Sequence, residues 1–255
     1  MGLSSERLDR VGQILRSEIE KGKLPGAVAL VARKGRIAYF ESFGLLDPAT
    51  GTPMTREAIF RIYSMTKPLV SVAAMILLED GRAVLTDPVS KFLPPLAKLQ
   101  VSLQKVAPVS GKVAYTMVPA DREMTIQDLL RHTSGLAYGE LTANAAVKEA
   151  YVKAGLAPSN GLPFDIRCLI ASEEVERLAT VPLAHQPGTV WEYGLSTDVL
   201  GRVVEAISGM PLGRLLEERL FVPLKMIDSG FFVPTDKLAR LAQPFPADPA
   251  TGNPI

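Results

Sequence analysis

The sequence predicts an α+β fold, in which a terminal helix lies on an antiparallel sheet and further helices follow. Three observations predict it. Residues 4–22 carry apolar side chains at helical spacing, and two strand-like runs, 26–33 and 36–44, come directly after them. From Ile59 onward the apolar pattern becomes typical of helices.

The N-terminal elements are bounded by residues with clear conformational preferences. Ser4 or Ser5 can cap the first helix, which we expect to end near Gly22. The apolar positions of this helix share one face: Leu8, Val11, Leu15 and Ile19. Lys34 and Gly35 separate the two strand-like runs, and a two-residue link of this kind predicts a tight hairpin.

The middle of the chain combines an apolar segment with an alternating one. Residues 64–80 are almost wholly apolar and end at Gly81, which predicts a helix that is buried on all sides. Residues 101–118 alternate on either side of Ser110 and Gly111, which predicts a hairpin.

A capping signal predicts a further helix. Thr125 with Asp128 resembles a capping box for a helix over 126–132, and we expect Gly135 to close it. The polar segment 139–165 contains several Pro and Gly residues and gives no clear assignment.

Length and charge exclude several classes of function. The chain has 255 residues, and its 28 Lys plus Arg balance 27 Asp plus Glu. A nearly neutral chain without a basic run is not expected to bind nucleic acid or an anionic membrane, and its apolar runs are too short to span a bilayer.

Cys168 is the only cysteine, so no intrachain disulfide can form. The N-terminus lacks an apolar signal core, which predicts a cytoplasmic location.

Several common catalytic and binding motifs are absent from the sequence. It contains no G-x-S-x-G elbow, phosphate loop or dinucleotide glycine pattern. His132 and His185 are the only histidines, which argues against a metal site, and we expect no metal and no organic cofactor. We expect His132 to have a structural role at a helix C-terminus, where an imidazole suits the helix dipole.

An S-x-x-K pattern offers a nucleophile and a base without a histidine. Ser64 and Lys67 are three residues apart, nearly one helical turn, which places a hydroxyl and an amine side by side. Pro68 fits only near the start of a helix, so Ser64 should lie at its N-terminus. Burial in an apolar helix should lower the pKa of Lys67, so that the amine can accept a proton near neutral pH.

The S-x-x-K pattern alone is a weak signal, because a chain of this length is expected to contain roughly one match by chance. Ser64 and Lys67 are equally explained by an N-cap serine and a surface lysine. A second match, Ser102 to Lys105, lies in a polar, alternating stretch with no buried helix after it. We interpret the second match as a coincidence.

The first match stands within three longer blocks: 63–68 (YSMTKP), 124–136 (MTIQDLLRHTSGL) and 186–203 (QPGTVWEYGLSTDVLGRV). In this order the blocks resemble the class C β-lactamase-like family of serine hydrolases, which holds β-lactamases, D,D-peptidases and the family VIII carboxylesterases that the chain resembles most. The resemblance implies one domain over 1–255, with an antiparallel sheet flanked by helices and an all-helical region. Residues 1–60 and about 228–255 would form the α/β part, and about 61–227 the mainly helical part.

The resemblance also implies roles for three side chains. Ser64 corresponds to the nucleophile, Lys67 to the lysine of the motif, and Tyr193 to the tyrosine of a Y-x-N motif. A phenol beside an ammonium can ionise, act as a base and then protonate the leaving group. Whether Lys67 or Tyr193 takes the first proton stays open, because coupled groups share their titration.

Two departures from the family pattern affect the expected function. Leu195 replaces the asparagine of the Y-x-N motif, and we expect it to offer substrate only apolar contact, which favours an ester over an amide. The K-T-G, H-x-G or W-x-G motif of a later strand does not occur before Ile255. Because that strand should supply an oxyanion-hole N–H, we expect the fold to be incomplete at the C-terminus, with the remainder elsewhere in the protein or in a second polypeptide.

The resulting hypothesis is hydrolysis of a small-molecule carboxylic ester through an acyl-enzyme on Ser64. A β-lactamase or a D,D-peptidase that uses the same side chains is an alternative within the family. A non-catalytic scaffold or binding relative is an alternative from another class. Ester turnover, nitrocefin turnover and covalent labelling of Ser64 distinguish the three.

Overall fold

The computed structural model of the protein describes residues 2–106, 113–157, 169–248 and 251–252. The chain separates into two units, Met1–Tyr63 with Asp228–Ile255 and Ser64–Ile227. The first unit contains an antiparallel sheet and a helix, and the second is mainly helical, which agrees with the predicted α+β class.

Helix α1 (Ser5–Glu20) forms where the sequence predicts it. The hydroxyl of Ser4 accepts a hydrogen bond from the N–H of Arg7 at 3.3 Å, which satisfies one of the free donors at the start of the helix. Gly22 adopts a φ of 71° just beyond the last turn, so the chain leaves the helix there. Of the two predicted caps, Ser4 is therefore the one used.

Strands β1 (Gly26–Arg33) and β2 (Arg36–Asp47) form the predicted antiparallel hairpin. Lys34 and Gly35 have φ values of 51° and 70°, the positive values that a tight two-residue turn requires. β2 continues past its predicted end, because its last residues pair with the short strand β3 (Thr52–Pro53). The resulting sheet has the order β1-β2-β3.

Two predictions about helix α2 (Thr66–Glu79) are wrong. Helical structure starts at the 3₁₀ turn Tyr63–Met65 and not at Ile59, which forms an isolated β-bridge. The helix is also not buried on all sides, since Val72 and Met75 are 41% and 49% exposed. Apolar residues continue around the helix, but only one stripe is fully buried: Val70, Ala73, Ala74 and Leu77.

Strands β4 (Gln100–Val106) and β5 (Val113–Pro119) pair in an antiparallel hairpin of the second unit. The hairpin predicted for 101–118 is therefore confirmed, while the turn expected around Ser110 and Gly111 lies outside the described residues. None of the helices that the structure describes combines the length and the apolar character needed to cross a bilayer.

Helix α3 (Ile126–Arg131) has the predicted capping box, in which Thr125 and Asp128 exchange side-chain-to-backbone hydrogen bonds. The helix ends at His132, which adopts a left-handed conformation with a φ of 54°. The prediction that Gly135 closes the helix is wrong, because the reversal at His132 ends it first. Gly135 has a φ of 85° and lies in the turn that follows.

The remaining α-helices described in the second unit are α4 (Ala145–Lys153), α5 (Ala171–Leu178), α6 (Ser196–Ser208) and α7 (Leu212–Leu216). α4 falls within the segment that the sequence left unassigned. α6 packs against both α2 and α3. This packing positions the segment that precedes α6, which carries part of the candidate site.

Candidate active site

Ser64 and Lys67 lie at the start of α2, where the sequence places them. Ser64 belongs to the 3₁₀ turn before the helix, and Pro68 stands in the first helical turn, where its missing N–H costs no helical hydrogen bond. The Nζ of Lys67 donates a hydrogen bond to the Oγ of Ser64 at 3.3 Å. One helical turn therefore brings the amine to the hydroxyl.

Tyr193 reaches the same point from 129 residues further along the chain. Its Oη lies 2.5 Å from the Oγ of Ser64, and the Nζ of Lys67 lies 4.7 Å from the centroid of its ring. The structure thus brings together the three side chains for which the resemblance implies catalytic roles.

Two backbone contacts hold the segment around Tyr193 against the turn that follows α3. The N–H of Glu192 donates to the carbonyl of His132 at 2.9 Å. Gly194 lies so close to Ala137 that a Cβ on residue 194 would stand 2.5 Å from the Cα of Ala137. The close approach of the two backbones fixes the position of the backbone from which the side chain of Tyr193 extends.

Tyr138 also belongs to the site, although the sequence reading did not propose it. Its Oη accepts a hydrogen bond from the Nζ of Lys67 at 3.4 Å, and its ring meets the ring of Tyr193 edge-on with centroids 5.4 Å apart. The one signal in the sequence was its position just after the block that ends at Leu136. That signal says nothing about the direction of the side chain.

The two tyrosines have pKa shifts in opposite directions. Interactions with Lys67 and then with Ser64 lower the pKa of Tyr193. Burial, followed by the negative charge of Asp198, raises the pKa of Tyr138. Environments that separate the pKa values of two similar groups also separate their roles. Tyr193 is therefore the phenol that ionises more readily.

The pKa of Lys67 shifts in the direction opposite to the prediction. Burial alone would lower it, but interactions with the phenol oxygens of Tyr193 and Tyr138 raise it above its ordinary value. The prediction of an amine that accepts a proton near neutral pH is therefore wrong. The pKa of Lys67 rises because phenols, which can carry negative charge, surround the nitrogen in place of purely apolar side chains.

His132 lies in the candidate site as well as at a helix end. Its ring centroid is 5.3 Å from that of Tyr193 and 6.2 Å from that of Trp191. Burial, and then the positive charge of Lys67, lowers the pKa of His132. The position at the end of α3 is as predicted, but the lowered pKa disfavours the protonated ring whose positive charge would suit the helix dipole.

Leu195 differs from the other candidates because it is 2% exposed and packs in the hydrophobic core of its unit. The residue precedes the first residue of α6 and follows Tyr193 by two positions. Almost none of its surface is open to a ligand in this structure, and the substrate contact expected from the sequence stays a prediction. Compared with the asparagine of the Y-x-N motif, Leu195 lacks a polar side chain.

The fold and the site together define a class. A serine hydroxyl, an ammonium and a phenol of lowered pKa within reach of one another are typical of serine enzymes that transfer acyl groups without a histidine base. No group of three or more His, Cys, Asp or Glu residues that could hold a metal ion occurs in the described ranges. The chain belongs to the beta-lactamase family, whose model matches residues 11–254.

Individual relatives show how much of the family's length the chain covers. It is 36% identical over 234 residues to Protein Rv1367c of Mycobacterium tuberculosis, over 92% of this chain and 54% of the relative. It is 36% identical over 222 residues to Esterase EstB of Burkholderia gladioli, over 87% of this chain and 51% of the relative. The solved structure of EstCE1, described as a hydrolase with promiscuous acyltransferase activity, matches with 30% identity and a TM-score of 0.74, over 92% of this chain and 55% of that one. The chain therefore spans about half the length of the relatives it matches.

Proposed function

We propose that the protein is a serine hydrolase that cleaves small carboxylic esters through an acyl-enzyme on Ser64. The observation that carries the proposal is the contact of Ser64 with two complementary groups. Its Oγ lies 2.5 Å from the Oη of Tyr193 and 3.3 Å from the Nζ of Lys67. A hydroxyl becomes a strong nucleophile when a base of this kind takes its proton during attack.

We propose that Tyr193 takes the first proton, and the directions of the pKa shifts support this choice. The pKa of Tyr193 is lowered and that of Lys67 is raised, so the pair favours a phenolate beside an ammonium. The phenolate takes the proton of Ser64 while Oγ bonds to the ester carbonyl carbon. When the tetrahedral intermediate collapses, the bond to the alcohol oxygen breaks and Tyr193 returns the proton to the departing alcohol.

In deacylation Tyr193 again acts first as a base, now towards water, and then as an acid, now towards Ser64. Water bonds to the acyl carbon and gives a proton to Tyr193, which then protonates the Oγ of Ser64 as the acid leaves. Lys67 stays an ammonium throughout and stabilises the phenolate form of Tyr193. This scheme needs no metal and no organic cofactor.

Both acylation and deacylation pass through an oxyanion that needs backbone donors. We propose the N–H of Ser64 as one donor and an N–H of a strand with a K-T-G, H-x-G or W-x-G motif as the other. Residues 1–255 contain no such motif. Adding the polypeptide that contains the strand should raise ester turnover by about 10² to 10³, the usual value of one such donor.

Two features favour esters over lactams. Leu195 lacks the amide group that could hydrogen-bond the side chain of a β-lactam or a peptide. One of the similar proteins is named Esterase EstB. A β-lactamase or D,D-peptidase remains the second candidate, because the family model is that of the beta-lactamases. Turnover of nitrocefin that exceeds turnover of a nitrophenyl ester on the same preparation would favour it.

The decisive experiment compares the unchanged protein with Ser64→Ala. We expect hydrolysis of a short-chain nitrophenyl ester to be lost in the variant, together with labelling by a fluorophosphonate that mass spectrometry maps to Ser64. Retained turnover in Ser64→Ala would refute the proposal. Absence of labelling in the unchanged protein would favour a non-catalytic binding relative. The cytoplasmic location stays a prediction from the sequence, which cell fractionation would test.

A further inference from the structure

The backbone at His132 anchors the segment that carries Tyr193. His132 has φ and ψ of 54° and 38°, a left-handed conformation that is uncommon outside glycine and in which asparagine, aspartate and histidine are the more frequent exceptions. Its carbonyl accepts the N–H of Glu192 at 2.9 Å. Because Glu192 directly precedes Tyr193, the reversal at the end of α3 holds the start of that segment.

The side chain of His132 makes a second contact with the same segment. Its ring centroid lies 5.3 Å from that of Tyr193, with an angle of 39° between the ring planes. It also lies 6.2 Å from the ring centroid of Trp191, which stacks on Tyr193 with an interplanar angle of 22°. His132 therefore contacts Tyr193 through its ring and the preceding residue through its backbone.

The imidazole is not the choice that stability alone would favour. Its Nδ1 is buried and has no hydrogen-bond partner in the part of the chain that the structure describes. An unpaired buried nitrogen is destabilising, and a hydrocarbon ring of similar size would avoid that cost. The left-handed backbone and the unpaired nitrogen of His132 thus lie next to the phenol of Tyr193, and costs of this kind cluster at functional sites.

We propose that His132 is a positioning residue that holds the phenol of Tyr193 within hydrogen-bond distance of Ser64. The ring limits the tilt of the phenol, and the backbone carbonyl fixes the point from which the side chain extends. This inference rests on the proposed function, in which Tyr193 takes the proton of Ser64. His132 itself exchanges no proton in this scheme.

The charged and titratable groups around this contact come from three elements. Lys67 on α2 carries the positive charge that acts on His132, and Tyr138 follows the same turn as His132. Asp198 on α6 acts on both tyrosines and on Lys67. All of these groups remain in the variants below, so a changed pH profile is not caused by their removal.

The test uses His132→Asn, because asparagine tolerates the left-handed conformation but lacks the ring. We expect the full chain with this substitution to react about 10- to 100-fold more slowly with a fluorophosphonate at Ser64, the size of effect that a displaced catalytic group produces. The rising limb of the pH–rate profile should also move to higher pH. The reason is that contacts with Lys67 and Ser64 are what lower the pKa of Tyr193.

Two further variants complete the experiment. His132→Phe keeps a ring, although it places a bulky side chain at a positive φ, and in the folded variant it should recover most of the rate and the original pH limb. Lys225→Asn is the matched control, since Lys225 also has a positive φ, of 56°, in the same unit but is exposed. It should leave both the rate and the pH limb unchanged.

Each outcome decides the matter. A normal rate in His132→Asn, or a slow rate with an unshifted pH limb, would overturn the proposal, the latter by showing a structural role only. A folded His132→Phe as slow as His132→Asn would overturn it too, and if the Phe variant does not fold, the Asn variant decides alone. If Ser64 is unlabelled in the unchanged protein, the proposed function fails and this role fails with it.

Discussion

Two S-x-x-K patterns occur in this chain, and only one of them brings its side chains together. Ser64 precedes helix α2, and Lys67 follows one turn later. The Nζ of Lys67 lies 3.3 Å from the Oγ of Ser64. Ser102 and Lys105 have the same spacing on strand β4, where residues three apart point to opposite faces. Ser102 is 1% exposed and donates its hydroxyl to Asn144, while Lys105 is exposed.

Residue spacing therefore predicts chemistry only when the backbone conformation is known. A helix places residues i and i+3 on one face, whereas a strand separates them. The interpretation of the second match as a coincidence agrees with its place on β4. What distinguished the two in the sequence was the apolar helical segment after the first match.

The largest expected difference between the two patterns concerns their lysines. Lys67→Met removes the charge that lowers the pKa of Tyr193, so ester turnover should fall by about 10⁴, the upper part of the range for acid–base groups. Lys105→Met removes an equivalent side chain from an exposed strand position. Measured kcat/KM for a nitrophenyl ester should change by less than about twofold in this control.

Tyr193→Phe should have the next largest effect, a loss of about 10³ in kcat/KM, because it removes only the oxygen that accepts the proton. In the unchanged protein, activity should rise with pH through a limb below the ordinary tyrosine pKa, since the pKa of Tyr193 is lowered. The variant should lack that limb. An unchanged pH–rate profile in Tyr193→Phe would assign the base role to another group.

Tyr138→Phe tests the second phenol of the site, which contacts Lys67. It removes the acceptor that lies 3.4 Å from the Nζ of Lys67, and we expect about a tenfold loss of activity, since a single hydrogen bond to a charged group is lost. Tyr115→Phe is the matched control, because the hydroxyl of Tyr115 bonds to the backbone N–H of Ala145. Equal losses in the two variants would contradict a special role for Tyr138.

The smallest expected effect on activity comes from the second pattern. Ser102→Ala removes a buried hydroxyl that donates to Asn144 at 3.2 Å, which should lower the free energy of unfolding by about 1 kcal/mol. Ester turnover should stay unchanged. Denaturant unfolding followed alongside kinetics separates the two quantities, and a large loss of turnover would mean that the comparison between the two patterns is mistaken.

Much of the fold could be predicted because its signals are local. The cap at Ser4, the turn at Lys34 and Gly35, and the box formed by Thr125 and Asp128 each depend on a few neighbouring residues. Such features follow from backbone preferences and do not require knowledge of distant packing.

What could not be predicted depends on contacts made across the chain. The neighbours of Lys67 determine the direction of its pKa shift, and the sequence did not show that Tyr138 is one of them. The core that buries Leu195 and the rings beside His132 are likewise assembled by tertiary packing. The grouping of Ser64 with Tyr193 was accessible only through a resemblance, because no local pattern links residues 129 positions apart.

The 129 residues between Ser64 and Tyr193 also separate the two side chains in time during synthesis of the chain. Ser64 and Lys67 leave the ribosome almost together, but Tyr193 is still to be made. At the usual 5–20 residues per second, adding 129 residues takes roughly 6 to 26 seconds. Under the proposed mechanism the nascent chain carries an unreactive serine during that interval, so the order of residues delays the onset of acylation until most of the second unit has been synthesised.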